Sequence, residues 1–176
     1  GPGGRIVQAL LQDFELLRDR CPELDVVAPD LVGHGTEPAP NEADRYSMDA
    51  CIDHLWPSLP ASGSWVLLGY SMGARTALHL ALRRPRGLVG LVLVGGTAGL
   101  EDAAEREARR TWDHAMAEEV LALGAAAFAD RWAQLPIIRS QTRIPSPWRE
   151  RLQARRRVAS PAGLANSLRG MGTGTM

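Results

Sequence analysis

Residues 69–73, with the sequence GYSMG, match the pattern Gly-X-Ser-X-Gly that surrounds nucleophilic serines. The pattern alone has low specificity, because Gly and Ser are common, but here a strand-like apolar segment precedes it and a helix-forming segment follows it. We therefore predict that Ser71 lies in a strained turn, with Gly69 and Gly73 allowing strand and helix to approach closely. The N–H group of Met72, at the positive end of the helix, is the predicted oxyanion donor. The alternative is an ordinary turn in which Ser71 caps a helix.

A nucleophilic serine needs a general base, and the base needs an acid that orients it. His79 follows Ser71 by eight residues on one predicted helix, about 12 Å along its axis, which is too far for that role. His34, in the loop PDLVGHG after a strand, is expected to stabilise that loop; a catalytic role is the alternative, because open α/β sheets place their sites at this edge. The remaining histidines are expected to be exposed on helices: His54 and His114. The chain thus contains a predicted nucleophile without an assigned base or acid.

Four arginines form a second set of candidate residues. Arg75 follows Ser71 by one helical turn, so the two side chains can face the same mouth. Arg106 and Arg109 are three residues apart on a later helix and share a face, with Arg110 beside them. Several guanidiniums at one mouth suit a substrate with more than one carboxylate. The alternative is a solvated charged helix whose arginines pair with Glu105 and Glu107, and spacing alone favours that alternative.

The elements that must position these residues alternate between strands and helices in the first part of the chain. We predict helices over Ile6–Arg20, Met48–Leu59 and Ser71–Arg84, and strands over Leu24–Asp30, Trp65–Leu68 and Leu88–Val94. This alternation indicates a parallel sheet, and strands that are apolar throughout indicate helices on both of its faces. The fold class is therefore α/β.

From Gly99 onward the sequence predicts only helices. Charged amphipathic segments cover Glu101–Leu123, Ala125–Gln134 and Pro147–Val158, as expected for a helical cap over the sheet. The tail Leu168–Met176 is expected to be a loop, and Gly1–Gly4 a flexible cut end. We therefore divide the chain into a core segment that carries the serine, residues 1–97, and a helical cap with the start of a return to the core, residues 98–176.

Composition limits the classes of function. The 176 residues fit one domain, with 45% hydrophobic and 23% charged residues. A formal net charge of zero gives no field that would attract nucleic acid or an anionic membrane. No signal segment or run of about 20 apolar residues is present, so a cytoplasmic protein is expected. Cys21 and Cys51 are expected to be small buried apolar residues rather than a disulfide or metal site. The oligomeric state stays open.

From about Val26 to its end, the chain resembles the 2-succinyl-6-hydroxy-2,4-cyclohexadiene-1-carboxylate synthases of menaquinone biosynthesis, a family with the α/β-hydrolase fold. The motifs that carry the resemblance are PDLVGHG (29–35), GYSMGAR (69–75), GL followed by EREARR (99–110), FADRWAQLP (128–136) and NSLRGMGTG (166–174). The GYSMG-Ala-Arg segment is moderately specific. Its occurrence before the EREARR helix and the RWAQLP segment, in that order, is strongly specific.

The resemblance implies a carbon–oxygen lyase rather than a hydrolase. In this family a base abstracts a proton from a succinyl-bearing cyclohexene polycarboxylate and pyruvate is eliminated, with a Ser–Asp–His triad and no metal or cofactor. Carried over, Ser71 is the triad serine and the Met72 N–H an oxyanion donor. The residues that would line the substrate pocket are Tyr70, Arg75, Arg106, Arg109 and Trp132. The resemblance favours carboxylate binding by Arg75 and Arg109, whereas Arg106 remains open between pocket and solvated face, and Trp132 between pocket and core.

The chain departs from the family pattern at two positions and at its ends. Val32 stands where the family has Pro, and Ala74 where it has Gly. The family's early His-Gly loop is expected before Gly1, and the triad Asp and His after Met176, so we expect a chain truncated at both ends with reduced activity. Two alternatives are a general serine hydrolase of the same fold (an esterase, thioesterase or C–C hydrolase) and an inactive truncated remnant that only binds.

Overall fold

A four-stranded parallel sheet forms the centre of the protein in the computed structural model, which describes residues 5–10 and 14–176. The strands are β1 (Arg5–Leu10), β2 (Leu24–Val27), β3 (Trp65–Tyr70) and β4 (Leu88–Val94), and their order across the sheet is β2-β1-β3-β4. Every pair of neighbouring strands is parallel, with Leu10 opposite Gly69 and Tyr70 opposite Val94. The parallel α/β sheet that the sequence predicts is confirmed.

The first element differs from the prediction. The helix predicted over Ile6–Arg20 is wrong over residues 6–10, where the chain forms β1, and helix α1 covers Phe14–Arg20. A short apolar run fits a buried strand as well as a helix, and β1 fills the position between β2 and β3 with hydrogen bonds on both sides. The predicted flexible end at residues 1–4 lies outside the described residues.

The other core elements match their predictions to within a few residues. Helix α2 covers Met48–Leu55 and continues as a 3₁₀ turn at Trp56–Ser58, while helix α3 covers Met72–Leu82. Another 3₁₀ turn, Ala43–Tyr46, precedes α2. The strand predicted over Leu24–Asp30 ends three residues early, at Val27. The β3 and β4 strands lie where the apolar runs indicated, so hydrophobic periodicity located most of the core.

Helices pack on both faces of the sheet at β3. Leu67 belongs to a buried cluster with Ile52 and Leu55 of α2 and Ala77 of α3. Its neighbour Leu68, which points to the opposite face because side chains alternate along a strand, packs in a second cluster with residues of β2 and of α1. The layers are thus α2 and α3 on one side, the sheet in the middle and α1 on the other.

The β4 strand departs from the prediction that both faces of the sheet are covered. Its side chains from Leu91 to Val94 are exposed on both faces, and Val89 is 68% exposed. The continuous apolar run located the strand correctly, but it does not show whether other elements cover both faces. In the described chain β4 is an edge strand.

The second part of the chain is helical, as predicted. Helix α4 covers Ala103–Trp132 and is broken at Gly124, where the sequence separated two predicted helices. Helix α5 (Pro136–Arg139), a 3₁₀ turn (Ser140–Arg143) and helix α6 (Ser146–Arg157) follow. Asp102 begins α4 by accepting a hydrogen bond from the N–H group of Glu105. The division of the chain between residues 97 and 98 stays a prediction, and β4 ends and α4 begins on either side of it.

The predicted loop over Leu168–Met176 is wrong. Helix α7 covers Pro161–Met171, and a 3₁₀ turn covers Thr173–Thr175. Ser160 begins α7 by accepting from the N–H group of Gly163, and Pro161 follows in the first turn. Its Gly, Ser and Asn residues have low helix propensity, so packing against α4 and the turn at Ala43–Tyr46 decides the structure. Met171 is fully buried in the core cluster.

Candidate active site

The turn between β3 and α3 has the strained backbone that the sequence predicts for Ser71. Ser71 has φ 53° and ψ −113°, a conformation that side-chain-bearing residues adopt at a cost of about 1–3 kcal/mol. Its N–H group donates to the carbonyl of Val94 at 2.8 Å, which ties the turn to the end of β4. The Ser71 side chain makes no cap hydrogen bond to α3, although a plain helix cap was the alternative. The serine is exposed at the carboxyl end of the sheet.

Close contact between β3 and α3 requires a glycine at position 69. A Cβ atom there would lie 2.3 Å from the carbonyl oxygen of Gly73 and 2.7 Å from the Cα of Ala74. Ala74, the departure from the family pattern, is 1% exposed, and its methyl group has room because residue 96 is also glycine. The first glycine of the motif therefore has the steric role that the sequence predicted.

The amino end of α3 faces the same opening as Ser71. Met72 is the first residue of α3, and among the described residues no backbone group accepts from its N–H group. The free N–H groups and the helix dipole place partial positive charge beside the Ser71 hydroxyl. Tyr70 is 47% exposed at the end of β3 and is therefore available to a ligand. The oxyanion role of Met72 stays a prediction that this geometry allows.

The histidines do not supply a base for Ser71 among the side chains that the structure describes. The Nδ1 atom of His34 lies 3.0 Å from the carbonyl oxygen of Val32, so His34 stabilises its own loop, and burial lowers its pKa. Asp30 holds the same loop by accepting from the N–H and hydroxyl groups of Thr36. His114 is exposed as predicted, whereas His54 is half-buried and pairs with Glu37.

Arg75 lies half-buried on the first turn of α3. One of its terminal nitrogens donates to the carbonyl of Met171 and lies 3.8 Å from the sulfur of Met176. Burial lowers the pKa of Arg75 to about 10, and the nearby charge of Arg109 adds to this effect, while Asp113 opposes it. The guanidinium is therefore charged at neutral pH and has further N–H groups with which to bind an anion.

Arg109 on α4 lies in the same charged cluster as Arg75. Its Nε donates to Oδ2 of Asp113 at 2.9 Å, and its guanidinium carbon lies 5.1 Å from the ring centre of Trp112. The Arg109 side chain is 36% exposed, but that of Asp113 is 3% exposed. Burial raises the pKa of Asp113, against the opposing effects of Arg109 and Arg75. The sequence analysis missed Asp113, and its position four residues after Arg109 was the available signal.

The other two arginines of the set make different contacts. Arg106 donates to the carbonyls of Leu100 and Glu101, each at 2.7 Å, and so holds the segment before α4. Arg110 pairs with Glu107, as the alternative of a solvated helix expects, and also donates to the carbonyl of Gly174. Arg75 and Arg109 thus lie in one cluster, whereas Arg106 and Arg110 bind neighbouring backbone and side-chain groups instead.

Trp132 lies at the end of α4, half-buried against the cluster that joins α4 and α7. Its ring centre is 5.5 Å from that of Phe128 and 6.3 Å from that of Trp112. Because Trp112 also contacts Arg109, a chain of aromatic side chains leads from Trp132 to the charged cluster. This packing fits the core alternative for Trp132 and leaves its substrate contact a prediction.

The arrangement combines a strained, exposed serine at a helix terminus with two neighbouring guanidiniums, one of which lies one helical turn along the same helix. The two guanidiniums can bind an anion with several carboxylates, and the Ser71 hydroxyl can contact the same bound molecule. Among the described residues no group of three or more His, Cys, Asp or Glu side chains is placed to hold a metal ion. No described helix is long and apolar enough to cross a membrane.

Comparison with known proteins agrees with this geometry. A family model described as the α/β-hydrolase fold matches residues 4–153. A Bacillus subtilis (strain 168) protein provisionally named 2-succinyl-6-hydroxy-2,4-cyclohexadiene-1-carboxylate synthase is 35% identical over 93% of this chain and 61% of its own length. A synthase of the same name from Serratia proteamaculans (strain 568) is 36% identical over 71% of this chain and 49% of its own length.

A solved structure resembles the chain over nearly all of its length. The structure of MenH from S. aureus superposes with a TM-score of 0.80 and 28% sequence identity, covering 98% of this chain and 68% of that one. The chain therefore spans about half to two thirds of the proteins it matches.

Proposed function

The chain belongs to the α/β-hydrolase fold family, and on that premise we propose that it is part of a lyase that eliminates pyruvate from a succinyl-bearing cyclohexene polycarboxylate in menaquinone biosynthesis. The two synthases and the MenH structure to which it is similar support this reaction over simple hydrolysis. A small polycarboxylate as the ligand and a cytoplasmic location belong to the same proposal.

The observation that carries the proposal is the pairing of Arg75 and Arg109 beside the serine turn. Arg75 lies one helical turn after Ser71, and Arg109 comes from a separate helix to the same cluster. Partial burial of these guanidiniums is unfavourable, as the lowered pKa of Arg75 indicates. An enzyme that acts on a simple, uncharged ester does not require such a pair. Asp113 supplies one negative charge to this pair, and a substrate with several carboxylates supplies the further opposite charge that two guanidiniums can bind.

Each site residue has a role in the proposed elimination. Arg75 and Arg109 bind substrate carboxylates, and the exposed Tyr70 lines the opening beside them. A base that acts through Ser71 removes a proton from the ring, and the electrons of that C–H bond enter the ring as a new double bond while the C–O bond to the three-carbon group breaks. The departing group leaves as an enolate with the electron pair of the C–O bond and takes up a proton to become pyruvate. The Met72 N–H group donates to the oxygen on which negative charge develops. Arg106 and Trp132 stay part of the proposed pocket, although Arg106 donates to the carbonyls of Leu100 and Glu101 and Trp132 packs against Phe128.

The direct experiment is to measure pyruvate release by the full chain from the tricarboxylate precursor of 2-succinyl-6-hydroxy-2,4-cyclohexadiene-1-carboxylate. We expect release that depends on Ser71 and on Arg75. The matched comparison is hydrolysis of an uncharged aryl ester by the same preparation, with the variant Arg75→Ala in both assays. Ester hydrolysis that Arg75→Ala leaves unchanged, without pyruvate release, would replace the lyase by a general serine hydrolase.

A further inference from the structure

Asp113 is a buried carboxylate that the proposed reaction leaves unused. Its residue is 2% exposed, and its Oδ2 atom accepts from Nε of Arg109 at 2.9 Å. Its other oxygen, Oδ1, is buried and has no hydrogen-bond partner among the described residues. A buried carboxylate oxygen without a partner is destabilising, so a packing role alone does not explain this residue.

Asp113 also contacts the segment that holds Arg75. A Cβ atom on residue 172 would lie 2.2 Å from Oδ2 of Asp113, so only a glycine fits at Gly172. The residue before it, Met171, supplies the carbonyl to which Arg75 donates. A continuous series of contacts therefore runs from Arg75 through Met171 and Gly172 to Asp113, and from Asp113 to Arg109.

We infer that Asp113 is a positioning residue whose buried carboxylate holds Arg109 directly, and Arg75 through the Met171–Gly172 segment, as a pair spaced for a ligand with at least two carboxylates. Two neighbouring guanidiniums repel each other, and a negative charge between them offsets that repulsion before a ligand arrives. The inference rests on the proposed function of the same site, since it concerns how that site recognises its substrate.

The variant Asp113→Asn should change the affinity for carboxylates in opposite directions under the two possible roles of Asp113. If Asp113 were only a competing anion, the variant Asp113→Asn would make the site more positive and would tighten the binding of carboxylates. If Asp113 positions the two arginines, the same variant weakens binding, because the pair loses its spacing. Asparagine keeps the shape of the side chain, so packing changes little.

The experiment compares the full chain with its Asp113→Asn variant, using tricarballylate as a tricarboxylate probe in titration calorimetry. We expect the variant to bind the probe about 10-fold more weakly, and KM for pyruvate release to rise about as much while kcat changes less than about 3-fold. The control is Glu107→Gln on the same helix, which removes an exposed carboxylate paired with Arg110 and should leave binding unchanged.

A second variant tests the geometry without changing the charge. Gly172→Ala places a methyl group against Asp113 and should weaken probe binding as Asp113→Asn does. In the unchanged protein, the Nε–H signal of Arg109 should exchange slowly with solvent in NMR spectra, which requires no variant to fold. Exchange as fast as that of exposed arginines would refute the inference.

The outcomes separate this inference from the proposed function. Weaker probe binding by Asp113→Asn in a protein that releases no pyruvate would retain the positioning role and reject the lyase. Normal pyruvate release with probe binding unchanged or tighter in Asp113→Asn would retain the lyase and reject the positioning role. A protein that neither binds the probe nor releases pyruvate would reject both.

Discussion

The serine turn and the arginine cluster lie side by side but are built in different ways. The serine turn uses one stretch of chain, from β3 through Ser71 into α3, with a single hydrogen bond to the end of β4. The arginine cluster joins α3, α4 and α7, and its members Arg75, Arg109, Asp113 and Met171 span almost 100 positions of the chain. A local motif thus sets a backbone conformation, whereas the proposed specificity for the ligand depends on the packing of distant helices.

This difference has an energetic consequence. In the serine turn, the proposed chemistry depends on the one side chain of Ser71, and the fold depends on the space left by Gly69. In the arginine cluster, burial lowers the pKa of Arg75 and raises that of Asp113, and the charges that the two groups share with Arg109 add to or oppose these shifts. We therefore expect changes in the turn to have large, separable effects and changes in the cluster to have smaller, coupled ones.

The largest effect should come from Ser71→Ala. Because the serine is the proposed centre of the reaction, we expect kcat for pyruvate release to fall at least about 10³-fold, as removal of one member of a catalytic triad does. Thermal unfolding should be unchanged or slightly raised, since the strained residue makes no side-chain cap. Ser58→Ala, at an exposed serine remote from the turn, is the control. Retained activity in Ser71→Ala would remove the serine from the mechanism.

The second effect concerns the backbone of the turn rather than its chemistry. Gly69→Ala forces a methyl group to within 2.3 Å of the Gly73 carbonyl oxygen, and we expect a loss of about 2–3 kcal/mol in the free energy of unfolding. In a chain of this size that corresponds to a melting temperature roughly 5–10 °C lower.

The matched control for this prediction is Gly90→Ala in β4. There the added methyl group would meet a side-chain atom of Val66 at 3.2 Å, and that side chain can move. We expect its cost to stay below about 1 kcal/mol. Equal losses in the free energy of unfolding for the two variants would show that the close strand–helix contact does not require glycine at position 69.

Features that one local pattern decides were predictable from the sequence. The serine turn, the strands β3 and β4, and the break at Gly124 in α4 were all predicted correctly. These features depend on apolar runs, a glycine or a short motif, each of which is complete within about ten residues. Their order along the chain predicted the α/β class, whereas the α/β-hydrolase fold was implied by the family resemblance and is confirmed by the family model.

Features that distant packing decides were not predictable from the sequence. Residues 6–10 were assigned to a helix, but they form β1 because the sheet needs a strand between β2 and β3. The tail was assigned to a loop, but most of it forms α7 and its 3₁₀ turn because α4 covers it. Asp113 was missed for the same reason, since its burial depends on both α4 and the segment after α7. Each error concerns a residue whose environment comes from elsewhere in the chain.

The third prediction tests the cluster itself. Arg75→Ala and Arg109→Ala should each lower kcat/KM for pyruvate release by about 10–100-fold, the range expected for a lost charge-assisted hydrogen bond. The control is Arg83→Ala at the end of α3, where Arg83 pairs at the surface with Asp49 and Asp53. That variant should leave kcat/KM within about 2-fold and cost at most about 1 kcal/mol of stability. Kinetics unchanged by loss of Arg75 or Arg109 would exclude that residue from substrate binding.

The smallest expected effect is also the most direct test of the contrast between the two regions. If Arg75 and Arg109 act as one pair, loss of the first already disorders the binding site for the second. The double variant should then cost less in kcat/KM than the sum of the single variants, by about 0.5–1 kcal/mol. The control cycle combines Arg109→Ala with Arg83→Ala, whose effects should add to within about 0.3 kcal/mol because those residues share no partner. Additivity in both cycles would mean that the two guanidiniums bind independently, and that the cluster is no more cooperative than the serine turn beside it.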